Sequence, residues 1–420
     1  NLRTGAGKKV RIFSIYFAPE KGAGPTRISN MAHGLQEAGF DVEVITAMPN
    51  YPTGRVFPEY AGRFYLSEVH NAVKVRRLWL FPTTSRNAII RLISMLSSCF
   101  SLICMVPVLM RTKADISIVQ CPPLLVSWTA ILISKYLLRA NTVLNVSDLW
   151  PQTALDMGAI RPGLMYRVLE KIEHVNYQLS DKFIVTANEI IDHIKTYENR
   201  RPFCLYRNVP ARMDCSARRP KPHWHGGRPR IIYAGLLGHA QGMAEIVAGV
   251  DWDGIGVELS IFGDGAERGR IESYLEKHPT KWVQYRGVVL PSELDRTIHT
   301  YHAALVPLAK RIRGAVPSKL FELSHQGMPV IFSGGGEGAD IVTENHVGWV
   351  SNPGDLEGLL YNLENLKDIS ESDYTQLVAN CQELARSKFS FQRQLRKLIK
   401  MLLHEQKTNH PPSGEKGQVL

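Results

Sequence analysis

The chain has 420 residues, which exceeds one ordinary hydrophobic core and predicts two domains. Its 44% apolar and 21% charged residues are typical of a globular protein and exclude an intrinsically disordered chain. Fifty basic residues against 39 acidic ones give a net charge of +11, which favours an anionic partner such as phosphate groups, nucleic acid or acidic lipid headgroups.

The cysteines and the N-terminal residues bear on the compartment. The six cysteines include no Cys-x-x-Cys pair and no dense framework, so we expect neither a zinc site nor disulfides. The basic N-terminal residues lead directly into a strand-like run without an apolar signal segment. These features predict a cytoplasmic protein.

Short β-branched runs alternate with longer helical stretches from Val10 onward, which predicts βαβ units and parallel sheets. Predicted strands of the first half cover residues 10–15, 42–46, 73–77, 116–119, 142–146 and 183–185, and those of the second half cover 231–233, 257–262, 283–286, 304–306 and 330–332. A basic, proline-rich loop at 217–230 separates the halves. We therefore predict an α/β protein with two Rossmann-like, doubly wound parallel-sheet domains facing a cleft. Their predicted bounds are 1–205 and 206–385, followed by an amphipathic helix within 386–406 that returns to the first domain and a disordered tail at 407–420.

One segment, residues 92–110, contains no charged residue and is flanked by Arg86, Arg91, Arg111 and Lys113. Its length is near the roughly 20 residues that a membrane-spanning helix needs, although its serines and Pro107 make it less apolar than most. It could span a membrane, pack against the sheet, or lie at a membrane interface. The flanking cations favour an interfacial helix over residues 89–110, because they would meet anionic headgroups.

Two glycine-rich loops each follow a predicted strand and precede a predicted helix. The first contains Gly22 and Gly24, with a helix expected at 28–38, and the second contains Gly235 and Gly238. Such loops let backbone N–H groups approach an anion at the start of a helix. Arg27 stands where a dinucleotide fingerprint needs its third glycine, which argues against NAD.

The stretch at 316–330 is the most specific in the sequence. A Pro-Ser pair opens a predicted helix and places Lys319 in its first turn, where a lysine is unfavourable unless an anion is bound nearby. Glu322 follows on the same helical face and could accept hydrogen bonds from sugar hydroxyls. The alternative is a capped surface helix with an ordinary Lys and Glu.

This stretch resembles the donor-site signature of retaining glycosyltransferase family 4, which has the GT-B fold. The resemblance spans residues 10 to about 404, and the finer match is to the bacterial surface-polysaccharide branch, with WbuB-like, N-acetylfucosaminyl-type transferases. The finer match rests on the motifs at 48–54, 120–123, 147–151 and 240–242.

The resemblance implies that Glu322 binds the donor ribose, that Lys319 lies by the diphosphate, and that backbone groups around residues 286–289 hold the base. Taken with the glycine loops, it predicts donor contacts at Gly22, Gly24, Gly235, Gly238, Gln241, Gly263, Arg286, Val288, Arg313, Lys319, Glu322, Gly336 and Glu337, and acceptor contacts at Asn50, Tyr51, Asp148 and Trp150. The residues assigned to catalysis are Lys319, Glu322 and Asp148.

The chain departs from the family pattern at two positions. A first glutamate is expected eight residues before Glu322, where this chain has Gly314, and a loop lysine is replaced by Gln241. Arg207, Arg311 or Arg313 could compensate by reaching the phosphates.

The resemblance also implies a reaction and its partners. A UDP-sugar would be the co-substrate, with no cofactor or metal, and the anomeric configuration would be retained by front-face attack, with cations stabilising the departing diphosphate. The acceptor would be a sugar linked to a polyprenyl diphosphate, and the enzyme would work at the anionic cytoplasmic face of the bacterial inner membrane.

Two other functions share this fold. A UDP-sugar 2-epimerase would act without a lipid acceptor and would have no use for the uncharged segment at 92–110. A non-catalytic, membrane-associated nucleotide-binding scaffold would tolerate Gly314 and Gln241. Nucleic-acid binding is not expected, since the cations are scattered along the chain.

Overall fold

A computed structural model describes residues 5, 7–85, 87–211 and 228–404. Two parallel sheets with helices on both faces account for most of these residues. The predicted tail at 407–420 and most of the predicted loop at 217–230 lie outside the described residues.

The first sheet has eight strands, and its central ones are continuous apolar runs because helices cover both faces. The strands are β1 (Lys9–Phe13), β2 (Asp41–Ala47), β3 (Tyr65–His70), β4 (Val73–Leu78), β5 (Ile116–Cys121), β6 (Asn141–Val146), β7 (Lys182–Val185) and β8 (Phe203–Leu205). Their order is β3-β4-β2-β1-β5-β6-β7-β8, and only the pair β3–β4 is antiparallel. The sequence analysis missed β3 because it lies at the sheet edge and alternates exposed with half-buried residues.

Helices α1 to α6 belong to the first sheet: α1 (Ala23–Glu37), α2 (Ala88–Arg111), α3 (Leu124–Leu132), α4 (Gln152–Asp156), α5 (Leu164–Leu179) and α6 (Asn188–Lys195). Helix α3 packs between α2 and α5. Cys99, Leu102, Met105 and Leu109 form the buried stripe of α2. Of the helices in the described ranges, α2 alone has the length and composition to span a membrane, and most of its apolar surface faces outward.

The second sheet has six parallel strands in the order β11-β10-β9-β12-β13-β14. They are β9 (Arg230–Ala234), β10 (Glu258–Phe262), β11 (Val283–Gly287), β12 (Ala303–Pro307), β13 (Val330–Ser333) and β14 (Gly348–Ser351). The helices are α7 (Met243–Gly249), α8 (Trp252–Ile255), α9 (Arg268–Lys277), α10 (Pro291–Thr297), α11 (Lys319–His325), α12 (Glu337–Glu344), α13 (Leu356–Asp368), α14 (Glu371–Ser387) and α15 (Phe391–Leu403).

Helix α15 packs on the first sheet although it follows the second in sequence. Lys182 Nζ donates hydrogen bonds to the carbonyls of Met401 and His404, each at 2.8 Å, which satisfies the end of the helix. A Cβ on Gly34 of α1 would lie 2.7 Å from Leu395, so the two helices are in close contact. The C-terminal helix thus ties the second half of the chain to the first.

In each sheet the strand order reverses at the first strand. In the first sheet β1 lies between β2 and β5, and in the second β9 lies between β10 and β12. In doubly wound sheets, ligands bind beyond the carboxyl ends of the strands at such a switch point. The loops that follow β1 and β9 are the two predicted glycine loops. We therefore expect a ligand to bind in the space between these two loops.

A buried histidine makes the second sheet sensitive to acid. His302 is 3% exposed, its Nδ1 accepts a hydrogen bond from the Arg230 backbone N–H at 2.8 Å, and burial lowers its pKa to about 4. The unfolded chain takes up this proton near pH 6.5, so stability falls as the pH drops from 6.5 to 4. At about 1.4 kcal/mol for each unit of pKa, the loss is about 3 kcal/mol.

We expect His302→Asn, whose amide oxygen can still accept from Arg230, to show a flatter stability profile between pH 6.5 and 4. Urea unfolding across this range measures the difference from wild type. The exposed His278→Asn variant is the control. Parallel profiles for wild type and His302→Asn would contradict the role of His302.

Candidate functional site

A cavity of about 870 Å³ lies where the two glycine loops meet. Gly22, Ala23, Thr26 and Asn30 line it from the first sheet's side, and Tyr233, Gly235, Gln241, Lys319, Glu322 and Gln326 are among the residues that line it from the second. Residues 208–210, which connect the two halves, close one side. The structure thus brings together five predicted donor residues: Gly22, Gly235, Gln241, Lys319 and Glu322.

Lys319 and Glu322 form the charged part of this cavity. They lie three residues apart on α11, and Lys319 Nζ donates to Glu322 Oε2 at 2.6 Å. Their side chains are 40% and 37% exposed, so both are accessible to a ligand. A bound phosphate would compete with Glu322 for the ammonium group and would free the carboxylate to accept from hydroxyl groups.

A smaller cavity of about 290 Å³ opens beside these two residues. Ile232, Val289, Leu294 and Ile298 give it apolar walls, while Lys319, Glu322, Asp295 and Gln326 stand at its polar side. A flat apolar slot next to carboxylates suits a heterocyclic base attached to a sugar. Sequence reasoning missed Asp295, because an acidic residue within an ordinary short helix gives no distinctive signal.

The loop after β11 carries the residues predicted to hold the base through their backbone. The side chains of Arg286 and Val288 are exposed, Val288 by 70%, and neither lines the main cavity or the smaller one. Val289, which belongs to the same predicted stretch, faces the slot. Alternation along the chain directs neighbouring side chains to opposite sides, so Val289 faces the slot and Val288 does not.

The first glycine loop is shorter than predicted. Helix α1 begins at Ala23, not at residue 28, so Gly24 lies inside its first turn and does not line the cavity. Gly22 precedes the helix with φ +138°, a conformation that favours glycine. Arg27 is buried and donates to Asn145 and Gln120 at 3.1 and 3.0 Å, so it ties strand ends together and does not face the cavity.

The second glycine loop is held by contacts among its own residues. Gly238 N donates to Gln241 Oε1 at 3.2 Å, so Gln241 both lines the cavity and fixes the loop. A Cβ on Gly263 would lie 1.8 Å from the Gly235 carbonyl oxygen. Gly263 therefore allows the turns after β9 and β10 to touch, and it stands behind the cavity wall.

The predicted acceptor loop is organised by Glu20, which sequence reasoning missed. This buried carboxylate accepts from the backbone N–H groups of Phe17, Asn50 and Tyr51 at 2.9–3.0 Å. Burial raises the pKa of Glu20, although these hydrogen bonds oppose the shift. Asn50 and Tyr51 lie on a loop remote in sequence, so these contacts leave no local sequence signal.

The side chains of the two acceptor-loop residues point in different directions. Asn50 is 5% exposed and donates from Nδ2 to the Met48 carbonyl at 2.9 Å, so its side chain supports the loop and is not available to a ligand. Tyr51 is 42% exposed and packs beside Tyr16 and Gly22 at the edge of the cavity. Tyr51 is therefore the accessible one of the pair.

Asp148 and Trp150 follow β6 and do not line the main cavity. Asp148 Oδ1 accepts from Thr153 Oγ1 at 2.6 Å, and Trp150 packs against the apolar core. Burial raises the pKa of the Asp148 carboxyl, while hydrogen bonds from Thr153 and Leu149 oppose this shift. A raised pKa suits a carboxylate that accepts a proton, but Asp148 also supports the start of α4.

Glu337 lies between the two halves of the chain and does not line the main cavity, and its donor contact stays a prediction. It accepts from Asn188 N and Nδ2 at 2.6 and 2.9 Å and pairs with Arg207. Gly336 immediately precedes it, and neither residue lines the main cavity.

Two of the three arginines proposed to reach phosphates are engaged elsewhere. Arg207 is buried against Glu337, and Arg311 pairs with Glu189 at 2.8 Å. Arg313 is exposed.

One Asp-x-Asp triplet, Asp251-Trp252-Asp253, lies between α7 and β10. Asp251 accepts from Gly254 N and caps α8, and Asp253 accepts from Trp282 Nε1. Neither lines the main cavity. Within the described ranges, no three His, Cys, Asp or Glu side chains lie close enough to hold a metal ion.

Comparisons with known proteins agree with this architecture. Residues 22–202 match the family described as Glycosyl transferase 4-like domain. WcaI of Escherichia coli strain K12, named for a glycosyl transferase role in colanic acid biosynthesis, is 24% identical over 331 residues, covering 74% of this chain and 80% of that protein.

Two solved structures show the same fold over nearly the whole chain. A trehalose-6-phosphate structure from E. coli bound with UDP-2-fluoro glucose has a TM-score of 0.69 at 10% identity, covering 94% of this chain and 99% of that one. WaaG, a glycosyltransferase involved in lipopolysaccharide biosynthesis, has a TM-score of 0.62 at 14% identity, covering 94% and 100%.

The two parallel-sheet domains and the cleft between them have the GT-B fold. Residues 22–202, somewhat less than half of the chain, are similar to the glycosyl transferase 4-like domain. These findings confirm the predicted fold class. The individual roles of the site residues stay predictions.

The contact of Glu20 with the acceptor loop can be tested directly. In Glu20→Gln one carboxylate oxygen becomes an NH₂ group, which opposes the backbone donors, so we expect a loss of about 1–3 kcal/mol in the free energy of unfolding. Urea unfolding measures this loss, with the exposed Glu59→Gln as the control. Equal stabilities of the two variants would contradict the role of Glu20.

Proposed function

We propose that this protein transfers a sugar from a UDP-sugar to a polyprenyl-diphosphate-linked acceptor during synthesis of a bacterial surface polysaccharide. The observation that carries the donor part is the meeting of Gly22, Gly235, Lys319 and Glu322 around one cavity. The role in colanic acid biosynthesis for which WcaI is named supports the pathway class. An N-acetylated deoxyhexosamine, as in WbuB-like transferases, is our expectation for the sugar.

We propose one orientation of the donor across the two adjoining cavities. The base would enter the apolar slot beside Val289, the ribose would meet Glu322, and the diphosphate would lie between Lys319 and the glycine loops. The sugar would then project toward the first domain. The UDP-2-fluoro glucose bound by the E. coli structure with the same fold supports a uridine donor.

The proposed reaction depends on stabilising the negative charge that develops on the leaving diphosphate. As the bond between the anomeric carbon and the diphosphate oxygen breaks, negative charge grows on the β-phosphate, and Lys319 would stabilise it. In front-face attack the acceptor hydroxyl oxygen bonds to the anomeric carbon on the face from which the diphosphate leaves, so the configuration is retained, and the departing phosphate takes the hydroxyl proton. Asp148 would orient the hydroxyl, and the proposal requires no metal ion.

The exposed face of α2 supports a membrane-bound acceptor. Ile89, Leu92, Ile93, Leu96, Phe100, Ile103 and Met110 are 44–68% exposed along this helix. The opposite stripe of the helix packs on α3, which favours a helix lying on a membrane over one that spans it. The cations Arg91, Arg111 and Lys113 are exposed at its ends and suit anionic headgroups.

A second apolar patch stands on the same helical layer. Leu164, Met165 and Val168 at the start of α5 are 50–79% exposed, next to the exposed Arg161 and Arg167. Helices that follow parallel strands begin at the carboxyl edge of the sheet, so this patch lies toward the acceptor side of the cleft. We propose that both patches dock on the inner face of the bacterial inner membrane.

Thermal unfolding with UDP, GDP, CMP and NAD in turn tests the donor site. We expect UDP alone to raise the melting temperature, since a ligand at 100 times its Kd adds about 2.7 kcal/mol. Glu322→Ala should abolish this rise, whereas Glu276→Ala, an exposed glutamate of the same domain, should keep it.

The outcomes of this test separate the alternatives. If none of the four ligands stabilises the wild type, the donor proposal fails and a non-catalytic scaffold becomes the better explanation. A UDP-sugar 2-epimerase would also respond to UDP, but it would convert its sugar nucleotide without a lipid acceptor.

Sedimentation with vesicles tests the membrane face. We expect the protein to bind phosphatidylglycerol vesicles, and Phe100→Glu/Ile103→Glu to bind at least about tenfold more weakly because charge replaces apolar contact. Val69→Glu/Tyr361→Glu, at residues 70% and 65% exposed outside α2, should bind like the wild type. Unchanged binding of the α2 variant would refute the docking role of this helix.

A further inference from the structure

Two carboxylates, one from each half of the molecule, accept hydrogen bonds from the other half. Glu337, at the start of α12 in the second half, accepts from the backbone N–H of Asn188 at the start of α6. Glu189, the next residue of α6, accepts from Gly314 N at 2.6 Å and from Arg311 Nη2 at 2.8 Å, both in the second half. Each half thus supplies an anion that satisfies backbone donors of the other.

The loop that Glu189 contacts leads directly into the donor cavity. It connects β12 to α11, and Leu308 before it and Pro317 after it both line the cavity. Lys319 is the first residue of α11. The position of this loop therefore sets where the Lys319 ammonium group stands.

Gly314 lies close against the first half of the chain. Its φ is +77°, which strains any other residue, and a Cβ there would lie 3.1 Å from Ile190 and 3.2 Å from Leu149. Ile190 follows Glu189 on α6, and Leu149 follows Asp148. Backbone strain and tight contact thus disfavour a side chain on residue 314 itself, whereas the Glu189 carboxylate reaches the Gly314 backbone from the first half.

The charge of Glu189 is well compensated. Burial by itself would raise its pKa, but the hydrogen bond from Gly314 and the Arg311 guanidinium outweigh burial and lower the pKa. The side chain of Glu189 is 20% exposed, and a Cβ on Gly336 would lie 2.8 Å from its Oε1. The carboxylate stays ionised in a narrow space bounded by the loops that precede α11 and α12.

We infer that Glu189 is a positioning residue for the donor site: its carboxylate, supplied by the acceptor-side half, fixes the loop at 309–318 and thereby Lys319. The inference deepens the proposed function and rests on it for the identity of the donor. A complete donor site then requires contact between the two halves, because Glu189, which orders the donor loop, belongs to the first half.

Hydrogen exchange of the ligand-free protein tests the contact without any substrate. In Glu189→Ala the Gly314 amide loses its acceptor, so we expect peptides covering 309–318 to exchange at least about tenfold faster than in the wild type. Asp192→Ala, at an exposed acid of the same helix, is the matched control and should leave these peptides unchanged. Glu189→Gln, which keeps the shape of the side chain, should have an intermediate effect.

Calorimetric titration with UDP tests the consequence for the donor. We expect the Kd for UDP to rise about tenfold in Glu189→Ala, with a melting temperature close to that of Asp192→Ala. Unchanged exchange at 309–318 would overturn the inference, and so would faster exchange with unchanged UDP affinity. Failure of the wild type to bind UDP would instead refute the proposed donor, while the exchange experiment would still decide whether Glu189 holds the loop.

Discussion

The close approach of two parallel sheets, with their switch-point loops facing each other, is the constraint on which the rest of this structure depends. Each sheet alone presents only half of a cavity, with one glycine loop after β1 or β9. A ligand held by both loops must therefore pass between the halves of the chain. Every contact that fixes their relative position consequently bears on binding.

Three kinds of contact fix that position. Helix α15 returns to the first sheet, where Lys182 satisfies its terminal carbonyls. Gln394 of that helix exchanges hydrogen bonds with the backbone of Arg207, at 3.0 and 3.1 Å. Glu189 and Glu337 add charged contacts across the interface. The pair of Arg207 and Glu337 is buried, so loss of either partner would leave an uncompensated charge between the halves.

The first domain also carries exposed apolar side chains on one helical layer. Its helical layer leaves α2 and the start of α5 exposed, although burying such side chains elsewhere in the protein stabilises the core. Most of the residues that line the cavity belong to the second domain. A membrane on one side of the first domain and a nucleotide on the second would bring a lipid-linked acceptor and a soluble donor to the same cleft.

The sequence by itself determined the features that depend on local pattern. Apolar runs such as 42–46 and 330–332 specify buried parallel strands whatever surrounds them, and the spacing of Lys319 and Glu322 places both on one helical face. Tertiary structure alone decided which polar groups meet. Glu20, Glu189 and Asp295 look ordinary in the sequence, because most of their partners are remote along the chain. Asn50 and Glu337, which the sequence analysis placed in the site, are instead bonded to other parts of the protein and do not line the main cavity. Periodicity reports burial along one element, whereas a site is made by side chains from several elements, and only the packing of the two sheets brings those together.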